Sequence, residues 1–286
     1  MNNLKLQYFD LLSPNPIKIE QVGEIISPKL IDISSIGINT YQYYLTILLL
    51  DVKTYFSMIG QQEQFDLLSD EEKIKFDIFD LLTGNQQSID LLLDVLNFFI
   101  SEKVSYSVEH NGFVVYEEIE KQETEELSLW KQIINGFRKQ GTEEITISIE
   151  KNVIGLITKE NYSSVCDVIC QRNCVKYKQE DLSKIKSKKA LEIMKKIQKG
   201  KSEMAKQKKT DKNMELGNIT SAVANKSQSL NEINIWDLTI FQLWDCFARL
   251  SNNSIYDIQS MSVAAWGNKD NHFDASAWFK RIDDGN

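Results

Sequence analysis

The chain has 286 residues, of which 42% are hydrophobic and 26% charged, enough apolar surface to offset the entropy of ordering and to exclude wholesale disorder. That length exceeds the usual span of one hydrophobic core, so a large domain with a smaller second one is expected. The net charge is −8, which disfavours a chain built as a whole to bind nucleic acid.

The first ten residues hold a single Lys and no apolar run precedes Pro14, unlike a secretory signal, so the protein is expected to stay inside the cell that makes it. Residues 16–28 place Ile17, Ile19, Val22 and Ile25 at near-alternation around Gly23, the pattern of a small hairpin or extended arm. From Leu30 the apolar positions shift to a helical period, with Tyr41, Tyr44, Leu45, Leu48 and Leu49 recurring at three and four residues. Ser69 and Glu72 fit a capping box, and residues 85–88 open a further helix that the apolar run 89–100 continues. This run and residues 41–50 are shorter than the roughly 20 residues that a bilayer demands, so both read as buried core helices.

Between Val104 and Ile119 the texture turns to alternating β-branched and aromatic residues about Asn111-Gly112, the clearest hairpin signal in the chain. A short amphipathic helix carrying Trp130, Ile133, Ile134 and Phe137 follows, then a strand over 145–149 and a helix over 162–174. On that last helix Cys166, Cys170 and Cys174 fall at i, i+4 and i+8, one stripe on one face. Zinc would ask for a tighter knuckle and a second ligand pair, and His110 and His272 lie far off, so the stripe is expected to pack in the core and no metal is expected.

Residues 176–212 hold fourteen Lys against five acids, leaving about −17 on the remainder. Leu191, Met194 and Ile197 mark a narrow apolar stripe inside this run, which favours a solvated basic helix. Such a run could neutralise phosphates, yet it has no Arg and Tyr177 is its only aromatic, so nucleic-acid binding ranks low. Residues 213–231 are rich in Ser, Asn and Thr and read as a linker or a loosely held helix. The segment 231–286 then concentrates four of the five tryptophans, Trp236, Trp244, Trp266 and Trp278.

The expected fold is thus α+β and predominantly α-helical. Residues 1–175 form a helical domain with a small β-hairpin element, 176–230 a basic helical linker, and 231–286 a small Trp-rich helical domain. No glycine-rich phosphate-binding string occurs, and neither histidine stands in a nucleophile–base motif, so no catalytic residue and no cofactor is expected. Trp236, Phe241, Trp244 and Phe247 at helical spacing suit a miniature core as well as an interface. Trp266 and Trp278 stand outside that cluster, beside Gly267, Asn268 and Asn271, and are the first choices for partner contacts.

The run from Asn234 through Trp236, Phe241, Trp244 and Phe247 to Arg249, with Tyr256-Asp257-Ile258, Trp266-Gly267, Phe273-Asp274 and Trp278-Phe279-Lys280, resembles the end of tail assembly chaperones of phages that infect Gram-positive bacteria. Pro16-Ile-Lys-Ile, Pro28-Lys-Leu, Asp32-Ile33 and Tyr41-Gln-Tyr-Tyr-Leu45 are similar to the opening of proteins from that genome neighbourhood. The resemblance implies a non-enzymatic protein of the bacterial host cytoplasm that coats the tape measure protein, keeps it soluble and recruits tail tube subunits; the uneven placement of aromatics makes Trp266, Trp278, Trp236 and Trp244 the expected partner-binding residues. It involves no membrane, and a homo-oligomer is compatible with it. A virion structural protein of the tail or baseplate shares the same absence of catalytic motifs and is the alternative.

Overall fold

In a computed structural model, residues 4–120, 149–175, 211–268 and 273–281 are described. The expected helix around Trp130, the strand residues 145–148, the basic segment 176–210 and His272 lie outside the described residues. The chain is mostly helical with two small antiparallel sheets, as the α+β reading requires.

The chain opens with α1 (Tyr8–Leu12), a five-residue helix that the sequence pattern did not signal. A hairpin follows: β1 (Ile17–Ile19) pairs with β2 (Gly23–Ile25) in the register Ile17↔Ile25. Gln21 and Gly23 take positive φ, 61° and 124°, and turn the chain so that Val22 and Ile25 point into the core. Next come α2 (Leu30–Ile36), α3 (Ile38–Leu48), α4 (Val52–Met58), α5 (Gln62–Leu67), α6 (Asp70–Lys73), α7 (Ile78–Leu82) and α8 (Gln86–Phe99).

Local chemistry places several of these starts. Ser69 and Glu72 form the reciprocal capping box, with the Ser69 amide on Glu72 Oε2 at 2.8 Å and the Glu72 amide on Ser69 Oγ at 3.3 Å. Asn85 Oδ1 accepts the Ser88 amide at 2.9 Å and begins α8, whose Ile89, Leu92, Val95, Leu96 and Phe99 recur at helical spacing and are all buried.

The second sheet runs in the order β3 (Lys103–Ser107), β4 (Gly112–Glu120), β5 (Ile149–Ile157), all antiparallel. Asn111, at φ 43°, makes the turn of the expected hairpin. Of the strand anticipated over 145–149 only Ile149 is among the described residues, and β5 runs from it to Ile157, past the point where alternation fails. Opposite Val115 and Tyr116 the register skips Ile154, so β5 carries the extra residue of a bulge and a strict period of two cannot follow it. Gly155 of β5 is there because the first hairpin leaves no room for a side chain. A Cβ at this position would stand 2.5 Å from the Gln21 carbonyl carbon, and Leu156 donates its amide to Gln21 O at 2.8 Å.

Helix α9 (Lys159–Arg172) lies against β5, α3 and α7. Cys166 and Cys170 pack in the core, where burial pushes both thiols up, Cys170 to about 12. Cys174 departs from the expected stripe: the helix ends at Arg172, and Cys174 turns out to the surface at φ 58°. Among the described residues the largest fully buried side chain is Arg172. Its guanidinium donates to the carbonyls of Asp10 (3.3 Å), Ser13 (3.1 Å) and Asn15 (3.0 Å), while Nε has no hydrogen-bond partner among the described residues. Burial lowers its pKa, partly opposed by the nearby Asp10 charge.

Within 213–231 the chain takes the helical alternative. Helix α10 (Leu216–Lys226) buries Ile219, Thr220, Val223 and Ala224, leads to a 3-10 turn (Ile235–Asp237), and is followed by α11 (Ile240–Trp266), opened by a capping box of Thr239 and Gln242. Ile219, Val223, Ile235, Ile240 and Leu243 belong to the same buried cluster as Ile25, Leu48, Leu96 and Phe113, so residues from both sides of the basic segment share one core. Backbone pairing reinforces the joint, with the Leu30 amide on Leu238 O at 2.9 Å and a bridge between Lys29 and Thr239.

Replacing Arg172 by Ala leaves three carbonyls and a large void behind, and is expected to cost about 3–5 kcal/mol in urea unfolding. Arg172→Met fills the void and should recover part of that loss. Gly155→Ala is expected to destabilise by about 2 kcal/mol, because the obstacle is backbone that cannot rotate away; an unchanged urea midpoint would contradict the close packing of the two sheets.

Candidate partner-binding surfaces

A groove of ≈ 520 Å³ opens between α2 and α10, closed at one end by the 3-10 turn. Leu30, Ile33 and Ile38 form one wall, and Gly217, Thr220, Ser221 and Ala224 the other, at the i, i+3, i+4, i+7 spacing of one helix face. Small side chains there keep the groove open. Trp236 stands at its rim, 40% exposed, and its indole N–H is already spent on Glu232 O at 2.9 Å, so only the ring is offered outward. This groove was not foreseen from sequence, although the Gly217, Ser221 and Ala224 spacing was readable.

Helix α11 has two environments. Its first turns bury Ile240, Phe241 and Leu243, with Trp244 half-buried and edge-on to Phe247 at 6.1 Å between ring centres. Tyr8 donates to Asp245 Oδ1 at 2.5 Å, and Arg249 reaches Tyr8 Oη at 3.2 Å. Burial raises the Tyr8 pKa, whereas the hydrogen bond to Tyr8 is the main cause that raises Arg249. Beyond Leu250 the helix projects with Ile255, Ile258, Met261 and Trp266 exposed.

Residues 273–281 fold back on one side of this projection. Asn252 Nδ2 donates to Ala277 O at 2.9 Å, Arg249 to Lys280 O at 2.8 Å, and Tyr256 lies 5.5 Å from Phe273. Asp274 pairs with Lys280, and that hydrogen bond holds the Asp274 carboxyl well below the usual carboxylate range. Trp278, 52% exposed, and Phe279 stack edge to face at 5.0 Å on this segment.

The four tryptophans therefore differ. Trp244 is packed against the core, Trp236 edges the groove, and Trp266 (79% exposed) and Trp278 stand in solvent. They are not brought into one patch by any contact among the described residues, although α11 carries Trp244 and Trp266 on one helix. No group of three or more His, Cys, Asp and Glu is placed to hold a metal among the described residues, and no helix among them is long and apolar enough to cross a membrane.

Residues 206–283 match the family model of the YomV second domain. That family name is phage-derived, so this region is similar to a domain of a phage-related protein. The match spans about a quarter of the chain and contains α10, the 3-10 turn, α11 and all four of these tryptophans. No curated protein and no solved structure matches the chain.

Two measurements separate packed groups from offered ones. Trp266→Ala is expected to change unfolding free energy by no more than about 0.5 kcal/mol, whereas Trp244→Ala should cost about 2 kcal/mol. Alkylation of the native protein at ~pH 8 should modify Cys174 and spare Cys166 and Cys170, whose raised pKa keeps them as buried thiols rather than thiolates; rapid labelling of either in folded protein would place them outside the core.

Proposed function

We propose that the chain is a phage assembly factor that captures apolar helices of a partner protein, and specifically a tail assembly chaperone that keeps a tape measure protein soluble and recruits tail tube subunits. The observation that carries this reading is a coincidence of place. The region that matches the phage-derived family is also the region that holds the exposed Trp236, Trp266 and Trp278.

Aromatic rings give large contact area at low entropic cost, and an apolar groove or helix face accepts the i, i+3, i+4, i+7 anchors of an amphipathic helix. The groove beside Trp236 is lined by six aliphatic or aromatic side chains and a wall of small ones, which suits such an anchor better than a polar ligand. Trp266 and Trp278 stand free to contact the same partner on a second surface.

Co-expression with the tape measure protein of the same phage is expected to give a soluble complex. Trp266→Ala combined with Trp278→Ala should weaken it at least tenfold while leaving the circular dichroism of the free protein unchanged. Mass spectrometry of purified particles should find the chain missing or in trace amount. Stoichiometric recovery in particles would favour a tail or baseplate component instead, and a tape measure protein that stays insoluble on co-expression would overturn the chaperone reading.

A further inference from the structure

We infer that the groove between α2 and α10 is the docking site of a segment of the same chain, residues 188–199, which lays an apolar helix face into it in the free protein. The inference uses the groove's geometry and is independent of any tape measure partner, whose helix would have to compete for the same place.

Sequence supplies the complement. Ala190, Ile193, Met194 and Ile197 stand at i, i+3, i+4 and i+7 with Leu191 at their border, which makes one apolar helix face about two turns long. At about 100° per residue, Lys188, Lys189, Lys195, Lys196 and Lys199 all fall on the opposite side. The groove wall on α10, formed by Gly217, Thr220, Ser221 and Ala224, repeats at the same spacing with small side chains. A helix laid along that wall approaches it closely, and its aliphatic side chains reach toward Leu30 and Ile33 on the far side.

Charge and chain path identify the occupant. Among the lining residues the single charged one is Glu232, and the exposed Asp32 and Glu215 adjoin the lining, while Lys29 is already paired with Asp237 at 3.4 Å. A segment with five Lys against Glu192 alone is complementary to this rim, whereas a whole second copy is net −8 and is repelled. Both tethers of the segment start beside the groove. The described chain resumes at Asp211, and a 3-10 turn (Lys212–Met214) leads directly to Leu216, a lining residue. At the other end the Tyr41 hydroxyl donates to Asn173 Oδ1 at 2.8 Å, and Tyr41 lies one turn of α3 beyond the lining residue Ile38. Residues 176–189 and 198–210 could each extend roughly 40 Å, so neither tether is too short. A segment tied on both sides has an effective concentration on the order of millimolar, which a free partner seldom matches.

The full-length protein in a Cys174→Ser, Cys246→Ser background tests the contact. At ~1 µM under diamide, Met194→Cys combined with Ser221→Cys should close a disulfide within one chain about tenfold faster than Lys196→Cys combined with Ser221→Cys, because position 196 lies on the opposite helix side. A labelled peptide of residues 184–200 should bind full-length Ile193→Ser, Ile197→Ser protein about tenfold more tightly than wild type, whose own segment holds the groove. The peptide measurement leaves the groove wall unaltered, so it stands even where Ser221→Cys disturbs α10. Equal closure rates for positions 194 and 196, disulfides that form only between chains, or a peptide that does not distinguish the two proteins would each overturn the proposal.

Discussion

The N-terminal strap, residues 4–15, buries Leu6 and has only the short α1 as regular structure, so its other backbone groups take partners from elsewhere. Helix α9 supplies most of them. Gln171 accepts the Leu6 amide and donates to Leu4 O, both at 2.9 Å, and Arg172 donates to the carbonyls of Asp10, Ser13 and Asn15. A fully buried guanidinium is expensive to desolvate, and here main-chain oxygens rather than a carboxylate repay the cost. Because the guanidinium fork is rigid, those three carbonyls can be arranged in only one way, which fixes the path of the strap.

The strap in turn carries the C-terminal part. Gln242 donates to Leu12 O at 2.9 Å, Tyr8 meets Asp245 and Phe241, and Arg281 stands over the Tyr8 ring at 5.7 Å. Residues at opposite ends of the chain are thus joined through a segment that neither end could order alone. On the other flank the 3-10 turn rests on α2 while α10 packs on α11, and the groove is the space left between α2 and α10 because α10 presents Gly217, Ser221 and Ala224 instead of larger side chains. The groove therefore depends on α2 through the 3-10 turn and on α11 through α10, while the strap supports α11 itself.

What was legible in the sequence is what depends on a few neighbouring residues. The Ser69 and Glu72 box, the Asn85 cap and the Asn111-Gly112 hairpin all express their geometry within four residues, so local chemistry decides them. Strand β5 was cut short because it carries a bulge at Ile154 that breaks its alternation, a feature set by its pairing with Val115 and Tyr116 of β4. Helix α10 read as a linker or a loosely held helix because Gly217, Ser221 and Asn225 on its exposed and groove sides dilute a buried face of only Ile219, Thr220, Val223 and Ala224. Cys174 shared a sequence spacing with Cys166 and Cys170, but spacing cannot foretell that the helix stops at Arg172. The tryptophans were visible as a cluster in sequence, while their division into packed Trp244 and exposed Trp266 and Trp278 is a property of tertiary structure.

Helix α11 raises a question of its own stability. Its first part is fixed by the core, the strap and a capping box, and its middle by the contacts of Asn252 and Tyr256 with residues 273–281. After Tyr256 three further turns continue, containing Ser260, Ser262 and the β-branched Ile258 and Val263, none of them strong helix formers. An isolated helix of fewer than about 12–15 residues is marginal in water, and propagation from a fixed first half is what sustains it here. Among the described residues the far end of α11 is tied by the Gly267 amide on Val263 O and the Phe273 amide on Asn268 Oδ1, and its last turns, bearing Met261 and Trp266, are the first to fray. Covering the Ile255, Ile258 and Met261 row would remove apolar surface from water and stop the fraying in one step, so order in the last turns and occupancy of the row are two aspects of the same equilibrium.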